Sequence, residues 1–304
     1  MMRIASTQYH STMNTALQLA NVRLGEIMQK MATGQRLLKP SDDPIANVRL
    51  SRLSREEAAL DQYRDNIGAL SSRLTLNETH LDAISNDILQ AHDLMVWAAD
   101  GANTPDDVAA MASSLKSLAE SIFYTANTKD QEGRYLFSGT LTDTPTITYD
   151  DTAPVGSRYS FTGNTAEQRV VVGNGVTQAA NVTVAELAGL LNSMEGTVEV
   201  LGTAGTSVND PAVRAQVTGT LDLLDDTLDI VSATISRLGG QQNILATLEN
   251  NHANVSLSNQ QAALDLGQLD YGDAAVKLNG YTVALQATQK AYGAVSQLSL
   301  FDVL

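Results

Sequence analysis

Residues 44–99 read PIANVRLSRLSREEAALDQYRDNIGALSSRLTLNETHLDAISNDILQAHDLMVWAA, and they carry the strongest pattern in the chain. A large apolar residue recurs at every seventh position: Leu53, Leu60, Ile67, Leu74, Leu81, Ile88 and Met95. A second apolar position accompanies most of these heptads: Tyr63, Leu70, Ile84 and Ala91. This spacing is typical of helices that pack along a coiled-coil seam. At 1.5 Å rise per residue, it predicts one helical rod roughly 80 Å long.

Two shorter helices flank this rod. Upstream, apolar residues follow alternating steps of four and three: Met13, Leu17, Ala20, Leu24, Ile27 and Met31. Gly34 suits the position after the helix end, and Asp42 or Asp43 can cap the rod, with Pro44 as its first residue. Downstream of Gly101, Thr104 can cap a third helix with this seam: Val108, Met111, Leu115, Leu118 and Ile122. Because the connecting turn is short, we expect the third helix to run antiparallel to the rod.

The periodicity changes between about Tyr135 and Asp210. The runs TITYDD, SRYSF and RVVV predict short strands, Asn174-Gly175 marks a turn, and one short helix should begin near Val184. From Pro211 the steps of four and three return and predict a second long helix paired with the rod: Val217, Leu221, Leu224, Leu228, Val231, Ile235, Leu238 and Leu245. Its Gly239-Gly240 pair indicates either a close backbone approach or a bend.

The last helix carries two apolar seams. One contains Leu278, Tyr281, Leu285, Tyr292 and Val295, and the other contains Val276, Val283, Ala287, Ala291, Ala294 and Leu298. This surface is wider than a contact between two helices requires, so the chain ends are interpreted as assembly elements. The alternative is that both terminal helices only complete the core of their own domain. The candidate interface residues are Met13, Leu17, Ala20, Leu24, Ile27, Met31, Val276, Leu278, Tyr281, Leu285, Tyr292, Val295 and Leu298.

Composition excludes several classes of function. The 304 residues include 19 Lys plus Arg and 34 Asp plus Glu, and a net charge of −15 disfavours nucleic-acid and membrane partners. There is no Cys, and the four His (His10, His80, His92 and His252) share no ligand spacing. Four aspartates lie on one face of a helix, Asp222, Asp225, Asp226 and Asp229, and are interpreted as a solvated face rather than a cation site. We therefore expect no catalytic, cofactor-binding or metal-binding residue and no cofactor.

The predicted fold is mainly α with a small β-rich insert. It is an elongated rod of long antiparallel coiled-coil-like helices, with paired terminal helices and a β-rich outer domain. The expected domains are a terminal helical assembly domain (1–43 with 262–304), a helical rod domain (44–145 with 211–261) and a β-rich variable outer domain (146–210). Because the insert looks separate, deletion of about Asp150 to Asn209 is expected to leave the helices folded.

Five strings in this order resemble the flagellin superfamily: MRIASTQYHSTMN, MATGQRLLKPSDDPIANVRLSRL, EGRYLFSGT, SRLGGQQN and VALQATQKAYGAVSQLSLFDVL. The resemblance covers roughly Met2 to Thr140 and Pro211 to Leu304, and is weakest in the β-rich insert. Within the superfamily, DDPIA at residues 42–46 and the final LSLFDVL are most similar to the hook-associated protein 3 branch. Ala32-Thr33-Gly34 departs from the usual Ser-Ser-Gly but keeps the glycine cap.

The resemblance implies a structural junction protein between the flagellar hook and filament, and not an enzyme. Its implied partners are hook-associated protein 1, flagellin, copies of itself in a ring or helical layer, and an export chaperone before secretion. It also implies an extracellular location after export by the flagellar type III apparatus, in keeping with an N-terminus that lacks the pattern of a signal peptide. The alternatives are flagellin itself and a coiled-coil effector or tip protein secreted by a type III system.

Overall fold

The computed structural model describes residues 2–301, with side chains described from residue 8 to residue 294. Its elements are α1 (Met2–Thr33), α2 (Pro44–Ala98), α3 (Pro105–Ala126), β1 (Ile147–Tyr149), β2 (Tyr159–Phe161), β3 (Arg169–Gly173), β4 (Val176–Ala179), α4 (Leu187–Leu201), α5 (Pro211–Gly267) and α6 (Tyr271–Phe301). Unit 1 contains the chain up to Ala59 and from Ala253 onward, and unit 2 contains Leu60–His252. The long helices and few short strands confirm the mainly α class. Among the residues described, no helix has both the length and the apolar character needed to cross a membrane.

The boundary between α1 and α2 lies where the sequence predicts it. Gly34 follows α1 with a φ of 69°, and its N–H donates to the Lys30 carbonyl at 2.9 Å. This left-handed conformation is the usual role of glycine after a helix end. At the start of α2, the Ala46 N–H donates to Asp43 Oδ1 at 3.0 Å and lowers the pKa of the Asp43 carboxyl. Capping groups therefore satisfy backbone atoms that both helix ends leave unpaired.

The heptad repeat of α2 forms the centre of unit 2. The six repeat residues within this unit are buried: Leu60, Ile67, Leu74, Leu81, Ile88 and Met95. The predicted seam of α3 packs there too, with Val108, Met111, Leu115 and Ile122 buried and Leu118 partly buried. Thr104 and Asp107 form the predicted capping box of α3. The Ser121 hydroxyl, near the end of α3, donates to Asp87 at 2.7 Å, so α3 runs back along α2 and the antiparallel prediction is confirmed.

Helix α5 also runs antiparallel to α2 within unit 2. Arg64 pairs with Glu249 at 2.9 Å, and fourteen residues further along α2 Glu78 accepts from the Gln242 amide at 2.8 Å. Every seventh residue of α5 is buried from Val217 to Leu245: Val217, Leu224, Val231, Leu238 and Leu245. The predicted pairing of the two long helices is confirmed. A Cβ at Gly239 or Gly240 would meet nothing within 4 Å, so the glycines serve no close backbone approach, and the helix continues through both.

The segment between α3 and α5 contains two antiparallel hairpins, β1–β2 and β3–β4. The three predicted strand runs correspond to β1, β2 and β3, and Asn174-Gly175 forms the turn into β4. Strand β4 reads VTQA and is not predicted, because only two of its four residues, Val176 and Thr177, are of types that favour strands. Helix α4 begins at Leu187 rather than Val184, since a turn closed by the Leu187 N–H and the Val184 carbonyl precedes it.

The β-rich segment and α4 share one buried apolar cluster with α2, α3 and α5. Its fully buried members include Phe137, Val172, Leu187, Leu190 and Met194. These side chains cover the same seam that the long helices form. This packing argues against the expectation that residues 150–209 can be removed without harm to the helices, because the deletion would uncover the shared core.

We predict that deletion of residues 150–209 yields an insoluble or unfolded protein. Each lost buried Leu or Met contributes about 2–5 kcal/mol, and a domain has only about 5–15 kcal/mol of net stability. Soluble yield and thermal unfolding by circular dichroism measure the effect. As a control, replacement of the largely exposed residues 151–157 by Asn-Gly should leave both unchanged. A deletion variant with the parent's cooperative transition would contradict the shared core.

Asn77 is a buried polar residue in the α2 seam. It is fully buried, and neither of its amide atoms has a hydrogen-bond partner among the described residues. Burial of such an unsatisfied group costs about 1–3 kcal/mol. We predict that Asn77→Leu, which has the same branched shape, raises the free energy of unfolding by about 1 kcal/mol.

The measurement is the midpoint of urea unfolding. Asn86→Leu is the matched control, because Asn86 lies on the same helix with its side chain exposed. The control should change stability by less than about 0.5 kcal/mol. A lower midpoint for Asn77→Leu would show that the amide is satisfied in solution.

Candidate assembly surface

Helices α1 and α6 of unit 1 pack against each other in antiparallel orientation. The rings of His10 and Tyr292 lie 5.5 Å apart, centroid to centroid. At the other end of the pair, the Tyr271 hydroxyl donates to the Met31 carbonyl at 3.3 Å. The start of α1 therefore lies beside the last part of α6, and the end of α1 beside the start of α6.

Burial in this pair is concentrated where α1 ends and α6 begins. Ile27, Leu269 and Ala274 are buried there, and Met31, Leu278 and Tyr281 pack against them partly exposed. The other predicted interface residues with described side chains on this face are half-buried: Met13, Leu17, Ala20, Leu24, Leu285 and Tyr292. Val295 and Leu298 belong to the predicted interface, but their side chains lie outside the described residues. We call the region where α1 ends and α6 begins the joint. The contact between the two helices becomes less buried with distance from this joint.

The second seam of α6 faces away from α1. Val276 is 72% exposed and Val283 is 57% exposed, and Ala287, Ala291 and Ala294 are also exposed. At 100° per residue, these positions lie on the face opposite Leu278, Tyr281 and Leu285. Helix α1 adds further exposed apolar side chains: Leu19, Val22 and Met28. Isolated exposed apolar residues are ordinary, but a continuous apolar stripe marks an interaction surface.

The linker after α1 is hydrogen-bonded to the junction between α5 and α6. The Arg36 N–H donates to the Gly267 carbonyl at 2.8 Å, and the Leu269 N–H donates to the Gly34 carbonyl at 2.9 Å. The Arg36 guanidinium adds two bonds to the Leu266 carbonyl, at 3.0 and 2.9 Å, and contacts Asp43 at 3.4 Å. One arginine therefore connects the linker to the end of α5.

Sequence reasoning missed this joint. A Cβ at Gly34 would lie 3.1 Å from the Tyr271 hydroxyl, so the glycine permits a close approach as well as ending α1. Arg36 lies in a polar linker, and its spacing from Leu266 in sequence gives no sign of their contact. The available signal was the pair of glycines, Gly34 and Gly267, at the ends of the two helices that meet there.

The histidines lie apart from one another, and His92 alone among the described histidines contacts the aspartate face. His252 is buried, with Nε2 2.8 Å from the Val172 carbonyl, and burial lowers the pKa of His80. His92 Nε2 lies 3.4 Å from Asp225, one of the four exposed aspartates on α5. In the part of the chain that the structure describes, no three His or acidic side chains are grouped as a metal site.

Comparison with known proteins shows which protein family this chain resembles. The sequence model of the protein family described as the bacterial flagellin N-terminal helical region matches residues 4–142 of this chain. The chain is 28% identical to flagellar hook-associated protein 3 of Escherichia coli over 291 residues, which cover 90% of this chain and 91% of the relative.

Solved structures agree in fold. A protein described as a flagellar hook-associated protein, from Vibrio parahaemolyticus, is 31% identical with a TM-score of 0.66 and covers 75% of this chain and 100% of its own. A hook-associated protein 3 from Legionella pneumophila is 14% identical with a TM-score of 0.63, over 71% of this chain and 99% of its own. At that identity the second likeness shows the fold alone.

We predict that Arg36→Ala loosens the joint. Loss of the guanidinium bonds to Leu266 should cost about 1 kcal/mol, because the group is partly solvent-exposed. Amide hydrogen exchange at Leu269, whose N–H bonds to Gly34, should then become about fivefold to tenfold faster. Lys39→Ala, an exposed change in the same linker, is the control. Equal exchange in both variants would mean that the backbone bonds alone hold the joint.

Proposed function

Because this chain belongs to the flagellar hook-associated protein 3 family, a branch of the flagellins, we propose that its terminal helices assemble at the hook–filament junction. It is a structural component of the bacterial flagellum, at the junction between hook and filament. The observation that carries the proposed mechanism is the solvent-exposed apolar seam of α6, which α1 leaves uncovered.

The geometry of α6 supports assembly rather than mere completion of a domain core. Its two seams lie on opposite faces, and α1 contacts only one of them. Val276 and Val283 stay mostly exposed in the single chain, and burial of apolar side chains between subunits is favourable at roughly 25 cal/mol per Å². Copies of the chain, or related flagellar subunits, can supply the second covering surface. The predicted interface residues that stay exposed, Val276 foremost, are therefore proposed as contacts between subunits, whereas those packed together near the end of α1 join α1 to α6 within one chain.

The proposed partners are the flagellar proteins on either side of the junction. Hook-associated protein 1 lies on the hook side, flagellin on the filament side, and copies of this chain form a ring or helical layer. An export chaperone would cover the apolar C-terminal helix before secretion, and the absence of cysteine suits export as an unfolded chain. The protein carries no catalytic activity in this role.

The domains are proposed to divide this work. Residues 1–43 with 262–304 provide the assembly surface, and residues 44–145 with 211–261 transmit torque between hook and filament. Residues 146–210 are proposed as the β-rich outer domain of the subunit. In this division the long helices provide stiffness, and the terminal helices provide contacts between subunits.

We predict that Val283→Asp abolishes assembly and leaves the monomer folded. The carboxylate is solvated in the single chain because Val283 is 57% exposed, but it would be buried without a partner between subunits. The thermal unfolding curve should match that of the parent. The variant should fail to restore swimming when it replaces the gene in its host.

The control is Gln286→Asp, an exposed position on α6 outside both apolar seams. It adds the same charge and should restore swimming. Cells with Val283→Asp should keep hooks, lose filaments and release flagellin monomers into the medium. Normal filaments with Val283→Asp would overturn assembly through this seam. Intact hooks and filaments after deletion of the whole gene would overturn the junction function itself.

A further inference from the structure

A cleft of about 410 Å³ opens in unit 2 between α3, α4 and the β1–β2 hairpin. Three aromatic side chains line it: Phe123 of α3, Tyr149 of β1 and Tyr159 of β2. The whole chain has only nine Tyr, four Phe and one Trp, so this is a marked concentration of rings. Nothing in the assembly mechanism uses them.

The three rings are inclined to one another. The Tyr149 and Tyr159 centroids lie 4.9 Å apart with planes at 54°, and those of Phe123 and Tyr159 lie 5.5 Å apart at 67°. Such inclined pairs also stabilise ordinary cores. Here, however, Tyr149 keeps 44% of its surface exposed, so the cluster is open on one side. An open set of inclined rings offers aromatic faces to a ligand.

Negative charge accompanies the rings. Three carboxylates line the same cleft, Glu120, Glu195 and Glu199, against two cations, Lys116 and Arg158. Lys116 contacts Glu120 at 4.0 Å, and Arg158 pairs with Glu195 at 3.1 Å. Glu199 has no ion pair among the described residues. The cleft therefore keeps an excess of negative charge beside its aromatic faces.

The surroundings of Tyr159, the ring that contacts both of the others, change the pKa of its hydroxyl. Burial first, and then the negative charge of Glu195, raise the pKa of Tyr159 to about 12. Its phenol stays neutral at physiological pH and adds no anion of its own. The faces of neutral aromatic rings carry a partial negative charge and attract cations.

Glu195 already accepts three hydrogen bonds from the residues around it. Its Oε1 accepts from the Tyr149 hydroxyl at 3.2 Å and from Arg158, and its Oε2 accepts from the Gly156 N–H at 3.4 Å. A primary ammonium brings three N–H donors and a strong hydration shell, and an aromatic face offers those donors no acceptor in exchange for the lost water. A quaternary ammonium has no N–H to satisfy and loses its weaker hydration more cheaply.

We propose that this cleft binds the quaternary ammonium group of a small solute, with Phe123, Tyr149 and Tyr159 in contact with its methyl groups. The rings attract the cation through their faces, and the carboxylates at the rim add long-range attraction. This role is independent of assembly, because every lining residue belongs to unit 2.

The test is titration of the full-length monomer with choline, followed by saturation-transfer NMR of the choline methyl protons. The uncharged isostere 3,3-dimethyl-1-butanol and the primary amine n-butylammonium are titrated in parallel. Choline should bind about tenfold more tightly than either, since a cation–π contact requires charge and the quaternary group loses less hydration at the ring faces than a primary ammonium does. Equal binding of the neutral isostere would overturn recognition of the cation. Equal binding of n-butylammonium would overturn the preference for a quaternary group, and no binding of choline would overturn the site.

Variants at one residue separate the ring from its hydroxyl. Tyr149→Phe keeps the aromatic face and should bind choline as the parent does, whereas Tyr149→Leu should weaken binding about tenfold. Tyr124→Leu is the control, because Tyr124 lies next to Phe123 on α3, is 80% exposed and does not line the cleft. Thermal unfolding checks that each variant is folded. Unchanged binding in a folded Tyr149→Leu protein would overturn the proposal.

Discussion

The rest of unit 2 depends on the buried apolar seam of α2. Leu74, Leu81 and Ile88 are completely shielded from solvent, and they are shielded by three different partners: α3, α5 and the segment between them. A single helix exposes this seam, so α2 cannot be stable by itself in water. Each partner is likewise amphipathic and incomplete alone. Unit 2 is therefore one cooperative core, although the chain between α3 and α5 has the composition of a separate insert.

Unit 1 is organised differently. In its described part, the buried apolar side chains are Ile27, Ala46, Leu269 and Ala274, and they lie near the joint rather than along the helices. Beyond the joint, α1 and α6 are in contact through half-buried residues and keep apolar faces exposed. Few buried contacts mean low local stability. Low local stability suits a segment that completes its packing between subunits. Since α1 and α6 share few buried side chains, the backbone hydrogen bonds of Gly34 and Arg36 contribute to holding these two helices together.

The exposed seam of α6 and the cleft of unit 2 differ in chemistry. The exposed seam of α6 is aliphatic and uncharged, so it matches another helix with small side chains, as expected for contacts between similar subunits. The cleft of unit 2 is aromatic and acidic, so it matches a cation of low hydration. The net charge of −15 belongs to the chain as a whole and disfavours anionic partners in general.

The sequence by itself determined the helices and their ends. The sevenfold repeat of α2, the steps of four and three in α5, the capping residues Thr104 and Asp43, and Gly34 are local signals, because each acts within a few residues of its own position. The same strings led to the flagellin family. The predicted terminal seams also came from local periodicity, and their role between subunits stays a proposal.

Only the tertiary structure decided what depends on residues far apart in the chain. The inclusion of the 135–210 segment in the core, the bond of Arg36 to Leu266 and the convergence of Phe123, Tyr149 and Tyr159 all rest on such contacts. No periodicity records them, since each partner belongs to a different element and the spacing between them is arbitrary. Periodicity shows that a face will be buried. The packed structure alone shows which surface covers that face and which faces remain open.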